Sequence, residues 1–230
     1  MRVETELRES RATWGTFEWS DFSGMFLERL NLEDLGGATI LDLGTGNGRL
    51  ALHLAPRGGR VVGIDTDEDA LAMAREHARS QGLTNATFIP ADADSANYRL
   101  LVRSPIDYIV ANYFMSEAAV RASAGALRNG GKFLFACHHE DHWTESGRVG
   151  RFSFSADRMR SLLTAGGLRV EFLGVDRRVV TYRGLEEIAK AAPRVHEKFL
   201  ADGRWRALES RFGDGPAQLT WSTLVGAAKK

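Results

Sequence analysis

The sequence is short of several things, and each shortage removes a class of function. There is one cysteine, Cys137, so no disulfide can staple the fold internally. Such usage suits a reducing compartment. There is no surplus of charge either: 30 Lys plus Arg balance 30 Asp plus Glu, and the pI is about 7.0. A general nucleic-acid binder carries a basic excess against the phosphates, so DNA and RNA are not the expected partners. No stretch reaches the ~20 apolar residues of a bilayer span, and Met1–Thr16 is charged and lacks the apolar core of a signal peptide. A cytoplasmic protein with no membrane partner is the expectation. With five prolines there is no Pro-rich linker, and no repeat or low-complexity tract interrupts the chain.

What is present is a chain of 230 residues, 43 % hydrophobic, enough for the core of one domain. Short β-branched runs, turns and helical patterns alternate, the mark of a parallel α/β sheet. Strands are expected at Thr39–Leu43, Arg60–Asp65, Ala86–Pro90, Ile106–Ala111, Lys132–Cys137 and Leu168–Val175. Between them, Asp67 can cap a helix that carries Leu71, Ala74 and Ala78 on one face and ends at Gly82. Val120, Ala124 and Leu127 mark another helix, stopped at Asn129-Gly130. Ser155 can cap a third, with Met159, Leu162 and Leu163 inward. A last strand, Gln218–Gly226, alternates Leu219, Trp221, Thr223 and Val225. Two segments break the rhythm. Residues 1–36 read as helices with an aromatic cluster (Trp14, Phe17, Trp19, Phe22, Phe26), and residues 184–212 read as extra helix.

The chemistry concentrates at Asp42-Leu43-Gly44-Thr45-Gly46-Asn47-Gly48, after an apolar strand and before a helix. Glycines there let the main chain approach a ligand closely, at the carboxyl end of the first strand of a doubly wound sheet. A dinucleotide turn usually reads G-x-G-x-x-G and offers a helix N-terminus to a pyrophosphate. Here the third glycine arrives one residue early, and an acid, Asp42, precedes the turn. A carboxylate repels a pyrophosphate but suits an ammonium group. Asp65 ends the next strand, where an acid can accept hydrogen bonds from both ribose hydroxyls.

These segments resemble the class I S-adenosylmethionine-dependent methyltransferase family. Ile40–Gly48 is similar to its first motif, Val61–Asp65 to its second-strand motif, and Phe88–Ala93 to the segment that holds adenine. Ile106–Asn112 and Leu127–Lys132 resemble its fourth strand and the turn into its fifth. The resemblance covers roughly residues 37–137. It implies a Rossmann-like, doubly wound sheet of seven strands with the last antiparallel, and S-adenosyl-L-methionine as cofactor with S-adenosyl-L-homocysteine as product. It also implies cofactor contacts from Asp42, Gly44, Thr45, Gly46, Gly48, Asp65, Thr66 and Asn112, with Asp92 taking the adenine amine and the Ala93 amide a ring nitrogen. Taken as local sequence, Asp92 and Asp94 serve equally well as helix caps.

The expected layout is one domain: an N-terminal helical lid (1–36), a cofactor core (37–176), a helical insert capping the substrate (177–216), and a last strand with tail (217–230). Methyl transfer to an activated carbon needs alignment first and a base only when the acceptor must lose a proton. Tyr113, His138 and His139 are the candidate catalytic residues, since they follow the fourth and fifth strands. His139-Glu140-Asp141-His142 is one residue short of H-E-x-x-H, so no metal is expected, and a base or a solvated loop remains. Amino-group methylases of adenine and glutamine carry an Asn-Pro-Pro-Tyr type sequence where this chain has Asn112-Tyr113-Phe114-Met115. That difference and the neutral charge favour a small-molecule O or N acceptor. The alternatives are an NAD(P)-dependent oxidoreductase, a non-catalytic binder of the same cofactor, and a protein or nucleic-acid methylase. Arg177, Arg178 and Arg183, at the head of the insert, are either a receptor for an acidic substrate group or solvated surface.

Overall fold

The computed structural model describes residues 4–13 and 22–230. Alternating burial builds its centre. In β2 (Thr39–Leu43) Leu41 and Leu43 face one layer with Ile109, Ala111, Phe133 and Phe135, while Ile40 faces the other with Val61, Val110 and Leu134. A strand covered on both faces is apolar along most of its length, and 39–43 departs from that with a buried carboxylate, Asp42. Each fully buried Leu or Ile contributes ~1.5–3 kcal/mol of transfer energy.

Around β2 lie β3 (Arg60–Asp65), β4 (Ala86–Pro90), β5 (Ile106–Asn112), β6 (Leu127–His138), β7 (Arg169–Tyr182), β8 (Ala217–Lys229) and a strand β1 (Thr5–Thr13). Among the described residues they form one eight-stranded sheet in the order β1-β7-β8-β6-β5-β2-β3-β4. Only β8 runs antiparallel, to both β6 and β7. The doubly wound class and its antiparallel last strand are therefore observed. Helices α2 (Arg49–Leu54) to α6 (Ala156–Ala165) flank this sheet. The expected caps form: Asp67 accepts from the Ala70 amide (3.0 Å) before α3 (Glu68–Ser80), and Ser155 accepts from the Arg158 amide (3.3 Å) before α6.

Two features differ from expectation. The sheet has an eighth strand where 1–36 was expected to be helical: β1 pairs in parallel with β7, and among the described residues of that segment the one helix is α1 (Gly24–Asn31). Glu, Leu and Arg favour helix locally, but Thr5–Thr13 sits on a sheet edge, where its charges guard against further pairing. There Glu9 meets Arg177 at 2.9 Å, and Arg8 clamps Glu28 with two bonds of 2.8 and 2.9 Å. Of the expected aromatic cluster, Trp14, Phe17 and Trp19 lie outside the described residues. Phe26 is fully buried against the sheet and Phe22 leans on His53.

Second, β7 does not end at Val175. It continues to Tyr182, so Arg177 and Arg178 belong to a strand and helix begins only at α7 (Leu185–Ala191), followed by α8 (Pro193–Asp202) and α9 (Arg204–Phe212). β8 begins at Ala217, one residue before the expected Gln218, and pairs along the whole of this extension. Beyond the pair Asp176↔Thr223, six further pairs run to Tyr182↔Ala217, so two strands stand ~20 Å proud of the carboxyl edge of β6. Paired residues share a face. Val180, Tyr182, Ala217 and Leu219 accordingly form one wall of a satellite core with Ile188, Phe199, Trp205 and Leu208 from α7–α9.

Candidate active site

The turn after β2 is built by its own backbone. Gly44, Gly46 and Gly48 all have positive φ (62°, 52° and 84°). At Gly44 a side chain is also excluded sterically, since a Cβ would stand 2.5 Å from Cβ of Phe114. At Gly46 nothing lies within 4 Å of that position, which leaves the turn open on its ligand side. The Thr45 amide donates to the Ile64 carbonyl (2.9 Å) and the Gly46 amide to Asp65 Oδ2 (2.8 Å), so β3 holds the turn in place. Asp65 Oδ1 takes the Asp67 amide (3.0 Å). Each oxygen accepts one bond here and has capacity for another.

A cleft of about 170 Å³ opens beside this turn, lined by Asp42, Gly44, Thr45, Gly46, Asn47, Arg49, Leu50, Asn112 and Tyr113. Asp42 is 1 % exposed. Burial pushes its carboxyl up to about 7, although the Thr45 hydroxyl donates to Oδ2 at 2.6 Å and counters the rise. An acid kept at such a cost of desolvation, at the edge of a cleft, is a functional signal. Tyr113, next to Asn112 at the end of β5, has φ 56°, a left-handed conformation costing ~1–2 kcal/mol. It places the ring 5.2 Å from His138, with the phenol oxygen 3.3 Å from Thr223 Oγ1.

His138 and His139 do not act together. His138 pairs in register with Thr223, on the face that carries Tyr113. Its Nδ1 is buried without a hydrogen-bond partner among the described residues, and burial, with Lys198 nearby, brings its pKa down to about 4. His139 faces the other way: successive extended residues alternate faces, and its ring turns to Asp141, accepting from the Asp141 amide at 3.3 Å, within the field of Arg177. Asp92 and Thr66 are exposed beyond β4 and β3. Asp92 closes a turn by accepting from the Asp94 amide (2.9 Å), and Asn97, not Asp92, caps α4 (Tyr98–Val102). Ala93 is buried, its carbonyl taking the Tyr98 hydroxyl at 2.7 Å. Arg177 and Arg178 are engaged with Glu9 and Ser10 of β1, and Arg183 with Glu187.

His142, Trp143 and Trp221 complete this corner. Trp143 stacks on His142 (5.3 Å, 11°), and Trp221 meets both edge-on while donating to the Tyr182 hydroxyl at 3.0 Å. The alternation of Trp221 with Thr223 was a visible sign that they share a face. Their approach to Tyr113 depends on the length of β7 and β8.

With this geometry in view, comparison with known proteins is decisive on family. A methyltransferase-domain family model matches residues 35–177, more than half of the chain. The chain belongs to the class I S-adenosylmethionine-dependent methyltransferases. It is 41 % identical over 92 residues to a release factor glutamine methyltransferase of Chlorobaculum tepidum, covering 37 % of this chain and 31 % of that one. It is 29 % identical over 153 residues to a ubiquinone biosynthesis O-methyltransferase of Roseobacter denitrificans, covering 59 % and 62 %. The chain thus spans less than two thirds of the length of either relative. A solved S-adenosylmethionine-dependent methyltransferase of Mesorhizobium loti shares the fold, with TM-score 0.55 at 19 % identity over 88 % of this chain and 95 % of that one. The family's cofactor fits the donor set: a buried carboxylate for its ammonium end, an acid at the end of β3 for its diol, and a glycine cradle open between them. Among the described residues no helix is long and apolar enough to cross a membrane.

Proposed function

We propose that this protein catalyses S-adenosylmethionine-dependent methylation of a small-molecule O or N acceptor, releasing S-adenosyl-L-homocysteine. The observation that carries this reading is the buried Asp42 carboxylate, held beside the open Gly44–Gly48 turn and near Asp65. In this assignment Asp42 faces the cofactor's ammonium group, directly or through water, and Asp65 the ribose hydroxyls. Gly44, Thr45, Gly46, Gly48 and Asn112 line the methionine half. Thr66, Asp92 and the Ala93 amide line the nucleoside half.

When bound, the cofactor supplies a methyl group already activated on a sulfonium. The chain's task is then to align the acceptor and exclude water, worth ~7–11 kcal/mol. Tyr113 and His138 stand on the acceptor side of the cleft. Neutral His138 accepts a hydrogen bond from the acceptor's O–H or N–H but holds a proton weakly, so it positions the nucleophile more than it deprotonates it. The identity to a protein-glutamine methylase falls on 92 residues only, and the prolines associated with amino-group methylation are missing after Asn112. Both points support a small molecule.

The test is calorimetric titration with S-adenosyl-L-homocysteine, followed by a methyl-transfer assay on hydroxyl and amine panels. Micromolar binding with turnover on a small acceptor supports the proposal. NADH binding that S-adenosyl-L-homocysteine fails to displace overturns it.

A further inference from the structure

Next to the cofactor cleft the protein assembles rings in a column. Tyr113 stands 5.2 Å from His138, His138 4.1 Å from His142, and His142 5.3 Å from Trp143, with successive tilts of 34°, 37° and 11°. Trp221 closes the side, edge-on to His142 and Trp143 at 5.5 and 4.9 Å. Trp143 is buried, but Tyr113, His138, His142 and Trp221 are each partly exposed.

The column is fixed before any ligand arrives. Thr223 holds the Tyr113 hydroxyl, and the Ser222 amide donates to His142 Nδ1 at 3.1 Å. The Tyr182 hydroxyl receives the Trp221 indole. Rings immobilised in this way lose little entropy when another ring packs on them. Among the described residues two buried polar atoms in the column are unsatisfied, His138 Nδ1 and Trp143 Nε1, and of the two residues His138 is the partly exposed one. Burial also keeps both column histidines uncharged near neutral pH, so the surface is aromatic rather than cationic.

Resting on the methyltransferase reading above, we infer that the acceptor is a planar aromatic compound. Its ring packs against Tyr113, His138, His142 and Trp221, and its ring hydroxyl or N–H turns toward His138. Saturated, flexible or highly charged acceptors gain nothing from this surface. Flatness is what it selects.

The experiment compares 2-naphthol with decahydro-2-naphthol, a saturated alcohol of the same skeleton and at least equal hydrophobicity. Each is titrated calorimetrically into protein saturated with S-adenosyl-L-homocysteine. The expected result is at least ~10-fold tighter binding of 2-naphthol, in line with a flat ring stacking on aromatic side chains. Trp221→Leu and His142→Leu should each erase most of that preference, and Trp221→Phe should keep it. Thermal melting and homocysteine-cofactor affinity check each variant's fold. Equal binding of the two alcohols, binding of neither, or a preference unchanged in both leucine variants overturns the inference while leaving the cofactor assignment intact. Failure of S-adenosyl-L-homocysteine to bind at all overturns the reading beneath it as well.

Discussion

Asp42 ties cofactor affinity to pH in a way that can be worked out in advance. In the free protein its carboxyl titrates at about 7, because burial disfavours the charge more than the Thr45 hydroxyl favours it. A cofactor whose ammonium group faces this carboxylate binds the ionised form. The observed association constant then falls by the factor 1 + 10^(pKa − pH), which is ~11 at about pH 6 and ~1.3 at about pH 7.5. Affinity should therefore drop ~8-fold on going from about pH 7.5 to about pH 6, and binding should release a proton at the lower pH. Asp42→Asn cannot titrate: its affinity should be weak and flat across the range.

The same group sets a stability trend of opposite use. Its folded pKa lies above the unfolded value of 3.8, so the folded state binds the extra proton and stability declines as pH rises from about 4 to about 7. The full decline is at most ~4 kcal/mol for this one group. Asp42→Asn should therefore melt higher than the parent protein at pH 8 and no higher at pH 4. Calorimetry in buffers of differing ionisation enthalpy measures both affinity and proton release. A parent protein with pH-independent affinity, or a variant with the parent's pH slope, refutes the assignment.

Three further outcomes follow from the same structure. Asp65→Ala removes the acceptor of the Gly46 amide along with the proposed ribose contact. Cofactor binding should weaken by ~1–3 kcal/mol, and unchanged affinity by titration would contradict the role. Gly44→Ala drives a Cβ into Phe114 at a left-handed position. It should cost ~1–3 kcal/mol in urea unfolding, with part recovered by the double variant Gly44→Ala, Phe114→Ala. His138 and His142 have folded pKa values below 6.5, so the unfolded chain takes up their protons first. Their contribution is full above pH 6.5 and is lost as pH falls toward 4, at up to ~1 kcal/mol per unit and group. Replacing both with Gln should flatten the acid limb of the stability curve.

How far the sequence carries is decided by how local each signal is. Asp42–Gly48, Asp65 and the caps at Asp67 and Ser155 are legible because spacing along the chain sets their geometry. Thr5–Thr13 is not, since its strand state comes from pairing with residues 173–181. The same distance effect hides Arg177 and Arg178, which lie in a strand because β1 and β8 pair with them from either side. His138 and His139 look equivalent in sequence, and the two faces of the sheet separate them. The ring column is the least legible part, since it joins the ends of β5, β6 and β8 and the loop after β6.

The central claim is that the turn at Asp42–Gly48 receives S-adenosylmethionine. A titration of the isotopically labelled protein with S-adenosyl-L-homocysteine, followed through backbone amide shifts, tests it most directly. The account predicts saturable shifts at Thr45, Gly46, Gly48, Thr66 and Ala93, and none of them with NADH. Saturable shifts confined to other residues, or no shifts at high micromolar ligand, would contradict it.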